Sequence, residues 1–218
     1  MDYNLASLRN RVVLDKLDDE EFDPGIVDRF INDTQRDIFN QYELSFQEKI
    51  FAGTVTQGTT MLLLPSDAAT VQSFVVTSPD GKQHNMIDQY LPFREFNTHY
   101  PTPSLNEQAA IGNWTLYANN IIFSAPTDNT YTLTTYYIRK PVVLVGDGDI
   151  PEIPEEFSEL LVLGAYIRIL ERNEDFDQAD YVRGQYNTLL DLLVNRYGYR
   201  KSTGAIKMKN RQVSTRRR

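Results

Sequence analysis

Apolar residues recur every three or four positions near both ends of this chain, while the middle breaks into short runs of β-formers separated by turns. That double change of texture restricts the fold to a helical frame carrying a β-rich insertion. The first helical stretch runs from about Tyr3 to Leu17, with Leu5, Leu8, Val12 and Val13 at helical spacing, and the acidic run Asp18 to Glu21 ends it. Asp23-Pro24 starts a second helix, since Asp accepts free N–H groups and proline at the first position has no N–H to leave unpaired. Val27, Phe30, Ile31, Thr34, Ile38 and Tyr42 fall on its apolar face, so residues 1–45 read as a helical hairpin.

Residues 46–141 read as the inserted β-module. Gln57-Gly58, Pro79-Asp80-Gly81-Lys82 and Asn119-Asn120 each lie between runs of strand-favouring residues. Tyr131 to Lys140, rich in Thr and Tyr, forms a last strand that Pro141 stops. About seven short strands in such a stretch predict a small antiparallel sandwich or barrel, with one short helix within Leu91 to Tyr100.

Residues 142–154 read as a linker containing Gly146-Asp147-Gly148-Asp149 and two prolines. Pro154 with Glu155 and Glu156 opens a third helix, the acids suiting the positive end of its dipole. Its segment Leu160 to Ile167 is apolar nearly all round, as in a helix enclosed by its own bundle or by a neighbouring subunit. Asp175 with Gln178 has the spacing of a capping box, and Ala179, Val182, Tyr186, Leu189, Leu190, Leu193 and Tyr197 form the stripe of a fourth helix that Gly198 ends. Residues 155–198 thus form a second hairpin that packs on the first. The class is α+β: a bundle of N- and C-terminal helices, an inserted antiparallel β-module, and an extended basic arm over residues 199–218.

Charge divides the chain the same way. From Arg196 to Arg218 there are nine Lys and Arg residues and no acid, leaving 13 basic against 30 acidic residues in the rest. An acidic body is poorly suited to wrapping nucleic acid, which rests on neutralising phosphates; only the arm could do so. With little apolar material beyond Ile206, Met208 and Val213, the arm cannot offset its own ordering entropy, so it is expected to be disordered until a partner receives it. No run approaches the roughly 18 apolar residues of a membrane span, and the opening residues lack the apolar core of an export signal, so a soluble, non-exported protein is expected. The absence of Cys excludes disulfides, thiolate nucleophiles and Cys-bound metal.

Catalytic constellations do not emerge. His84 and His99 have no partners at metal-ligand spacing, and no phosphate loop, dinucleotide fingerprint or nucleophile elbow is present. The acids of Asp18 to Glu21 and Asp147-x-Asp149 lack the spacing of a calcium loop and read as solvated loops. Asn32-x-Thr34 and Asn113-x-Thr115 match the glycosylation acceptor, which is discounted without an export signal. Tyr90, Phe93, Phe96, Tyr100, Trp114, Tyr117, Tyr131, Tyr136 and Tyr137 cluster in the β-module without interleaved basic residues, which suits core and interface packing better than stacking on bases. No enzyme activity, cofactor or metal is expected.

Several stretches in order resemble the head-to-tail adaptor (connector) proteins of tailed double-stranded DNA bacteriophages. They are Phe30-Ile31-Asn32-Asp33-Thr34-Gln35-Arg36-Asp37-Ile38, Gly58 leading to Leu64-Pro65-Ser66-Asp67, and Trp114-Thr115-Leu116-Tyr117 with Ile121-Ile122-Phe123-Ser124-Ala125-Pro126. Tyr136-Tyr137-Ile138-Arg139-Lys140-Pro141 and Ile153-Pro154-Glu155-Glu156-Phe157 complete the set, and the likeness spans about Tyr3 to Tyr197. The resemblance implies a structural virion protein at the head–tail junction, assembled in the host cytoplasm. It would form a ring, typically of twelve copies, beneath the portal protein, present a platform for downstream tail or nozzle proteins, and leave a channel in which genomic DNA makes transient non-specific contact. It assigns Lys207, Lys209, Arg211, Arg216, Arg217 and Arg218 to portal docking. Leu160, Leu161, Leu163 and Ile167 are the residues we assign to packing between subunits. The competing class is a nucleic-acid-tethering or other binding module that uses the basic tail; a hydrolase would need a carboxylate pair, and none stands out.

Overall fold

The computed structural model describes residues 3–18 and 22–198, and the elements follow the helix–strand–helix order expected from the sequence. Helix α1 (Leu5–Asn10) is capped by Asn4, whose side chain accepts the Ser7 N–H. It continues over Arg11–Leu17 as a wider, π-type helix that ends at Asp18 in the left-handed region (φ 53°). The wider turn brings residues five apart onto one side, so Arg11 and Lys16 both reach Glu159. Helix α2 (Pro24–Gln41) begins as predicted: the Asp23 side chain accepts the Gly25 N–H, and Pro24 holds the first position.

Helix α4 (Ser158–Arg172) follows a single 3₁₀ turn at Glu155–Phe157, and α5 (Phe176–Tyr197) returns beside it. The Asp175 side chain caps α5 through the Gln178 N–H, but the Gln178 amide turns to the Tyr166 hydroxyl (3.0 Å), so the reciprocal half of the expected capping box is not made. Gly198 ends α5 for a different reason than a left-handed turn. Its φ is −66°, an ordinary value, and what excludes a side chain is space, because a Cβ would lie 2.4 Å from the Val194 carbonyl oxygen.

These helices share one interior, in which Leu5, Leu8, Ile31, Leu160, Leu161 and Ile169 are fully buried. Each such side chain stabilises the fold by about 1.5–3 kcal/mol relative to exposure. The α2–α4 crossing is close because Gly164 faces Thr34; a Cβ on Gly164 would meet Thr34 Cγ2 at 2.2 Å.

Among the described residues seven strands form two antiparallel sheets: β1 (Glu48–Val55), β7 (Tyr131–Arg139), β3 (Ala68–Thr77) and β4 (Gln83–Asn85) in that order, and β2 (Met61–Leu63), β6 (Asn120–Phe123) and β5 (Trp114–Tyr117). The inner faces meet over Phe74, Trp114, Ile121, Phe123 and Leu133. Trp114 packs edge-on against Phe74 (4.6 Å between centroids) and donates its indole N–H to the Met86 carbonyl at 2.6 Å. Of the two expected alternatives the structure has the packed pair of sheets; among the described residues no barrel closes. Two of the three turns make hairpins: residues 78–82 join β3 to β4, and Ala118 and Asn119, both with positive φ (46° and 62°), join β5 to β6. Gln57-Gly58 instead carries the chain from one sheet to the other, since β1 pairs with β7 and β2 with β6. Gly53 makes that crossing tight, because a Cβ there would lie 3.1 Å from Leu62. The short helix expected within Leu91 to Tyr100 is α3 (Phe93–His99).

Residues 142–153 run as a strap across α2. Asn32 holds Leu144 by both backbone groups, donating to its carbonyl (2.9 Å) and accepting its N–H (2.8 Å). One turn later, buried Gln35 donates to the Val142 carbonyl and accepts the Glu152 N–H. The strap in turn supplies acceptors for the start of α1, where Leu5 and Ala6 donate to the carbonyls of Asp149 and Asp147. Two amide side chains thereby take the place of a neighbouring strand.

Candidate assembly surfaces

Groups that could have carried chemistry are occupied in holding the fold. Asp147 accepts from Arg9, which also forms a two-pronged pair with Asp28. Asp149 accepts the N–H groups of Val145 and Gly146, and those bonds hold its carboxyl below the usual range. Asn32 is committed to the strap, and Asn113 donates to the Tyr100 hydroxyl at 2.8 Å. Glu156 accepts from the Tyr197 hydroxyl and from Arg196, both at 2.6 Å. Burial of Tyr3, whose hydroxyl donates to the Ile153 carbonyl, pushes its pKa well up, with Glu155 adding to the rise. His84 is exposed on β4 and His99 at the end of α3, and among the described residues no acidic side chain is bonded to either. Among the described residues no group of three or more potential metal ligands gathers, and no helix is long and apolar enough to cross a membrane. Three residues of the acidic run, 19–21, lie outside the described residues.

The aromatic cluster divides by pairing register. Trp114, Phe96, Tyr131 and Tyr137 are buried, and the two tyrosines donate to Asp128 and Asp67. Tyr90, Phe93, Tyr117 and Tyr136 stay exposed. Tyr136 belongs to the outer face of the four-stranded sheet, where Ile50, Tyr136 and Ser73 lie side by side across β1, β7 and β3. The next outward row is Ala52, Thr134 and Val75, and the one after it Thr54, Thr132 and Thr77. Gln83 and Asn85 of β4 extend the last two rows. None of these positions is charged, exposed Glu48 continues the β1 column one row beyond Ile50, and Ile50 keeps 65% of its surface open.

The three-stranded sheet presents another outer face on the opposite side of the sandwich. Met61 neighbours Ile122, and Leu63, Asn120 and Tyr117 form the adjacent row. Phe93 of α3 stacks on Tyr117 (4.2 Å between centroids, planes 16° apart) and extends the patch. Met61, Leu63 and Tyr117 are each more than half exposed. Neutral exposed aromatic and aliphatic surface of this kind is what the centres of protein interfaces are made of. The sequence marks Tyr117 and Tyr136 only as aromatics of the β-module; strand register places each on such a face. The uncharged alternation Ile50, Ala52, Thr54 and Thr132, Thr134, Tyr136 was the available signal.

The residues assigned to subunit packing lie elsewhere. Leu160 and Leu161 are fully enclosed, and Leu163 and Ile167 retain 3% and 7% exposure. Leu160 and Leu161 fill the bundle interior, while Leu163 and Ile167 pack with Tyr166, Leu170, Ala179 and Val182 between α4 and α5. The all-round apolar helix is therefore accounted for by packing within one chain. The arm residues Lys207, Lys209, Arg211, Arg216, Arg217 and Arg218, with the expected disorder of the arm, lie outside the described residues.

No curated protein sequence matches the chain. The protein family described as SU10 adaptor protein matches residues 3–210, spanning both helical hairpins, both sheets and part of the basic arm. The match agrees with the resemblance carried by the helix starts, the β5–β6 hairpin and the entry into α4, and the chain belongs to this family of bacteriophage head-to-tail adaptors, structural proteins of the virion's head–tail junction.

Proposed function

We propose that the protein forms a ring, of about twelve copies as in adaptors of this kind, beneath the portal protein. The ring docks through the basic C-terminal arm, offers its other end to tail components and surrounds the path of the genome. The observation that carries the reading is the charge division in a chain of this family: nine basic residues and no acid from Arg196 onward, against a body with 13 basic and 30 acidic residues. An acidic body repels the DNA it surrounds and limits contact to transient, non-specific encounters. A basic arm seeks an acidic protein surface, where Lys207, Lys209, Arg211, Arg216, Arg217 and Arg218 make charge-assisted hydrogen bonds. Assembly takes place in the host cytoplasm, before the tail is added.

Negative-stain imaging of the protein mixed with its portal tests this directly: rings on the portal are expected, and a protein that stays monomeric and unbound would overturn the reading. Deleting Ala205 to Arg218 should leave the body folded and weaken portal binding by on the order of 100-fold or more. Unchanged binding by the shortened chain would remove the arm's role. Retention of the full chain on duplex DNA, with a log–log salt slope of about −0.9 per phosphate contact, and no affinity for the portal would favour the tethering module instead.

A further inference from the structure

We infer that residues 199–201, the root of the basic arm, continue the body as a short added strand beside residues 41–43 and cap the carboxyl end of α2. The inference is independent of the ring reading and concerns how the arm leaves a single subunit. Its first support is the direction in which the chain departs. The Tyr197 ring lies edge-on to Phe46 and Phe157 (5.5 and 6.1 Å between centroids), and Arg196 and the Tyr197 hydroxyl both hold Glu156. Gly198 then forms an antiparallel bridge with Leu44, both in extended backbone (φ −66°, ψ 145° and φ −114°, ψ 141°). In an antiparallel pair each further residue of one chain meets the residue one earlier in the other. Tyr199 therefore comes opposite Glu43, Arg200 opposite Tyr42 and Lys201 opposite Gln41.

The second support is hydrogen bonding. The Gly198 N–H goes to the Val194 carbonyl (2.8 Å), while the Leu44 N–H goes to the Gln47 side chain (2.6 Å) and its carbonyl accepts the Gln47 N–H (2.9 Å). Leu44 and Gly198 are thus a non-hydrogen-bonded pair, and the ladder bonds fall on the pairs to either side. Glu43 is exposed, and among the described residues neither its N–H nor its carbonyl has a protein partner, nor has the Gln41 carbonyl at the end of α2. Tyr199 exchanges bonds with Glu43, and the Lys201 N–H takes the Gln41 carbonyl, an acceptor that the helix itself leaves open. The third support is charge. Helix α2 has no basic residue in its last turn to face the negative end of its dipole, and Arg200 and Lys201 bring two positive charges there, beside Glu43. Of the basic groups across the groove at Tyr42, Arg139 faces Glu152 and Lys140 turns to the Ser66 carbonyl (3.5 Å). With its root fixed, the arm that reaches outward begins at Ser202, and residues 202–218 span at most roughly 60 Å.

Amide hydrogen exchange of the full chain, followed residue by residue by nuclear magnetic resonance, tests the register. The Tyr199 and Lys201 amides should exchange at least about tenfold more slowly than in an unfolded chain, while that of Arg200, which points away from residues 41–43, keeps the unfolded rate. Unfolded rates at all three would overturn the inference, and so would equal protection of all three. Protection that grows with protein concentration would assign the edge to the arm of another copy and overturn it as well. The chain has no Cys, so a placed pair gives a second readout. Glu43→Cys with Tyr199→Cys should close to an intrachain disulfide at least about tenfold faster than Glu43→Cys with Ser214→Cys, since a bonded antiparallel pair lies within bridging distance. Equal rates for the two pairs would show a root that wanders as freely as the tip, and would overturn the inference.

Discussion

In the helices of the bundle the exposed large apolar residues, Leu14, Phe176, Tyr181 and Leu192, stand at separate positions, while Val142, Val143, Val145 and Ile150 are exposed along the strap. In the sandwich, exposed Ile50 and Tyr136 lie side by side on the outer face of the four-stranded sheet, one row from Glu48, and Met61, Leu63 and Tyr117 gather on that of the three-stranded sheet. Both regions bury a well-packed interior, so the difference does not come from the needs of folding. Ion pairs decorate the bundle, among them Arg168 with Asp37 and Arg183 with Glu171, and exposed pairs of this kind contribute about 0–1 kcal/mol each. Their main effect is to keep that surface wet and unattractive to apolar partners. The comparison separates a helical surface dressed with ion pairs from sheet faces on which exposed apolar residues gather.

The largest effect expected from breaking one region without the other is at the α2–α4 crossing. Gly164→Ala places a methyl group into the Thr34 side chain, which is itself 2% exposed and bonded to the Phe30 carbonyl. Overpacking of this kind should cost about 3 kcal/mol. Trp114, the sole tryptophan, lies in the sandwich core, so its fluorescence follows that region while far-ultraviolet dichroism follows the helices. The dichroism midpoint in urea should fall while the fluorescence midpoint moves less. Coincident midpoints would make the two interiors a single cooperative unit. Thr34→Ala in the same chain removes the two nearest atoms and should recover part of the loss.

The strap is the next test, since it closes the bundle and starts where the sandwich ends. Asn32→Ala removes both partners of Leu144, a residue only 4% exposed, and should cost about 2 kcal/mol. Amide exchange distinguishes this from a general loss of stability. Protection should fall first at Leu144 and at Leu5 and Ala6, which donate to strap carbonyls. Uniform loss over α5 as well would show that the strap has no separate role.

Much of the bundle was readable because its determinants are local: Asp23-Pro24 and the 3.6-residue stripes carry helix starts and faces within a few positions. The β3–β4 and β5–β6 turns were readable for the same reason. What could not be read was the pairing of β1 with β7, about 80 residues away, and that pairing alone decides that Ile50 and Tyr136 are neighbours on one exposed face. Residues 142–154 read as a linker because Gly, Asp and Pro dominate them, whereas the groups that hold them, Asn32 and Gln35, belong to a distant helix. The apolar surround of Leu160 to Ile167 was correctly read as enclosure, but periodicity cannot say whether the enclosing residues belong to the same chain.

The smallest expected effect probes the junction of the two regions, where Arg139 at the end of β7 meets Glu152 of the strap at 2.5 Å. The approach is close but poorly aligned. Burial raises the Glu152 pKa; Arg139, the Val142 backbone N–H and Lys49 pull it down and Asp67 pushes it up, leaving a net rise. A carboxyl whose pKa is higher folded than unfolded binds its proton more tightly in the native state. Its contribution is therefore fully present below the unfolded pKa and is lost as pH rises through the folded one. Glu152→Gln keeps the shape of the protonated acid and removes the titration. Melting temperatures of the two proteins should agree most closely near pH 4, and the wild type should fall progressively behind the variant towards pH 7. A wild type that instead gained on the variant with rising pH would show that Arg139 outweighs burial, and that a favourable ion pair ties the sandwich to the bundle.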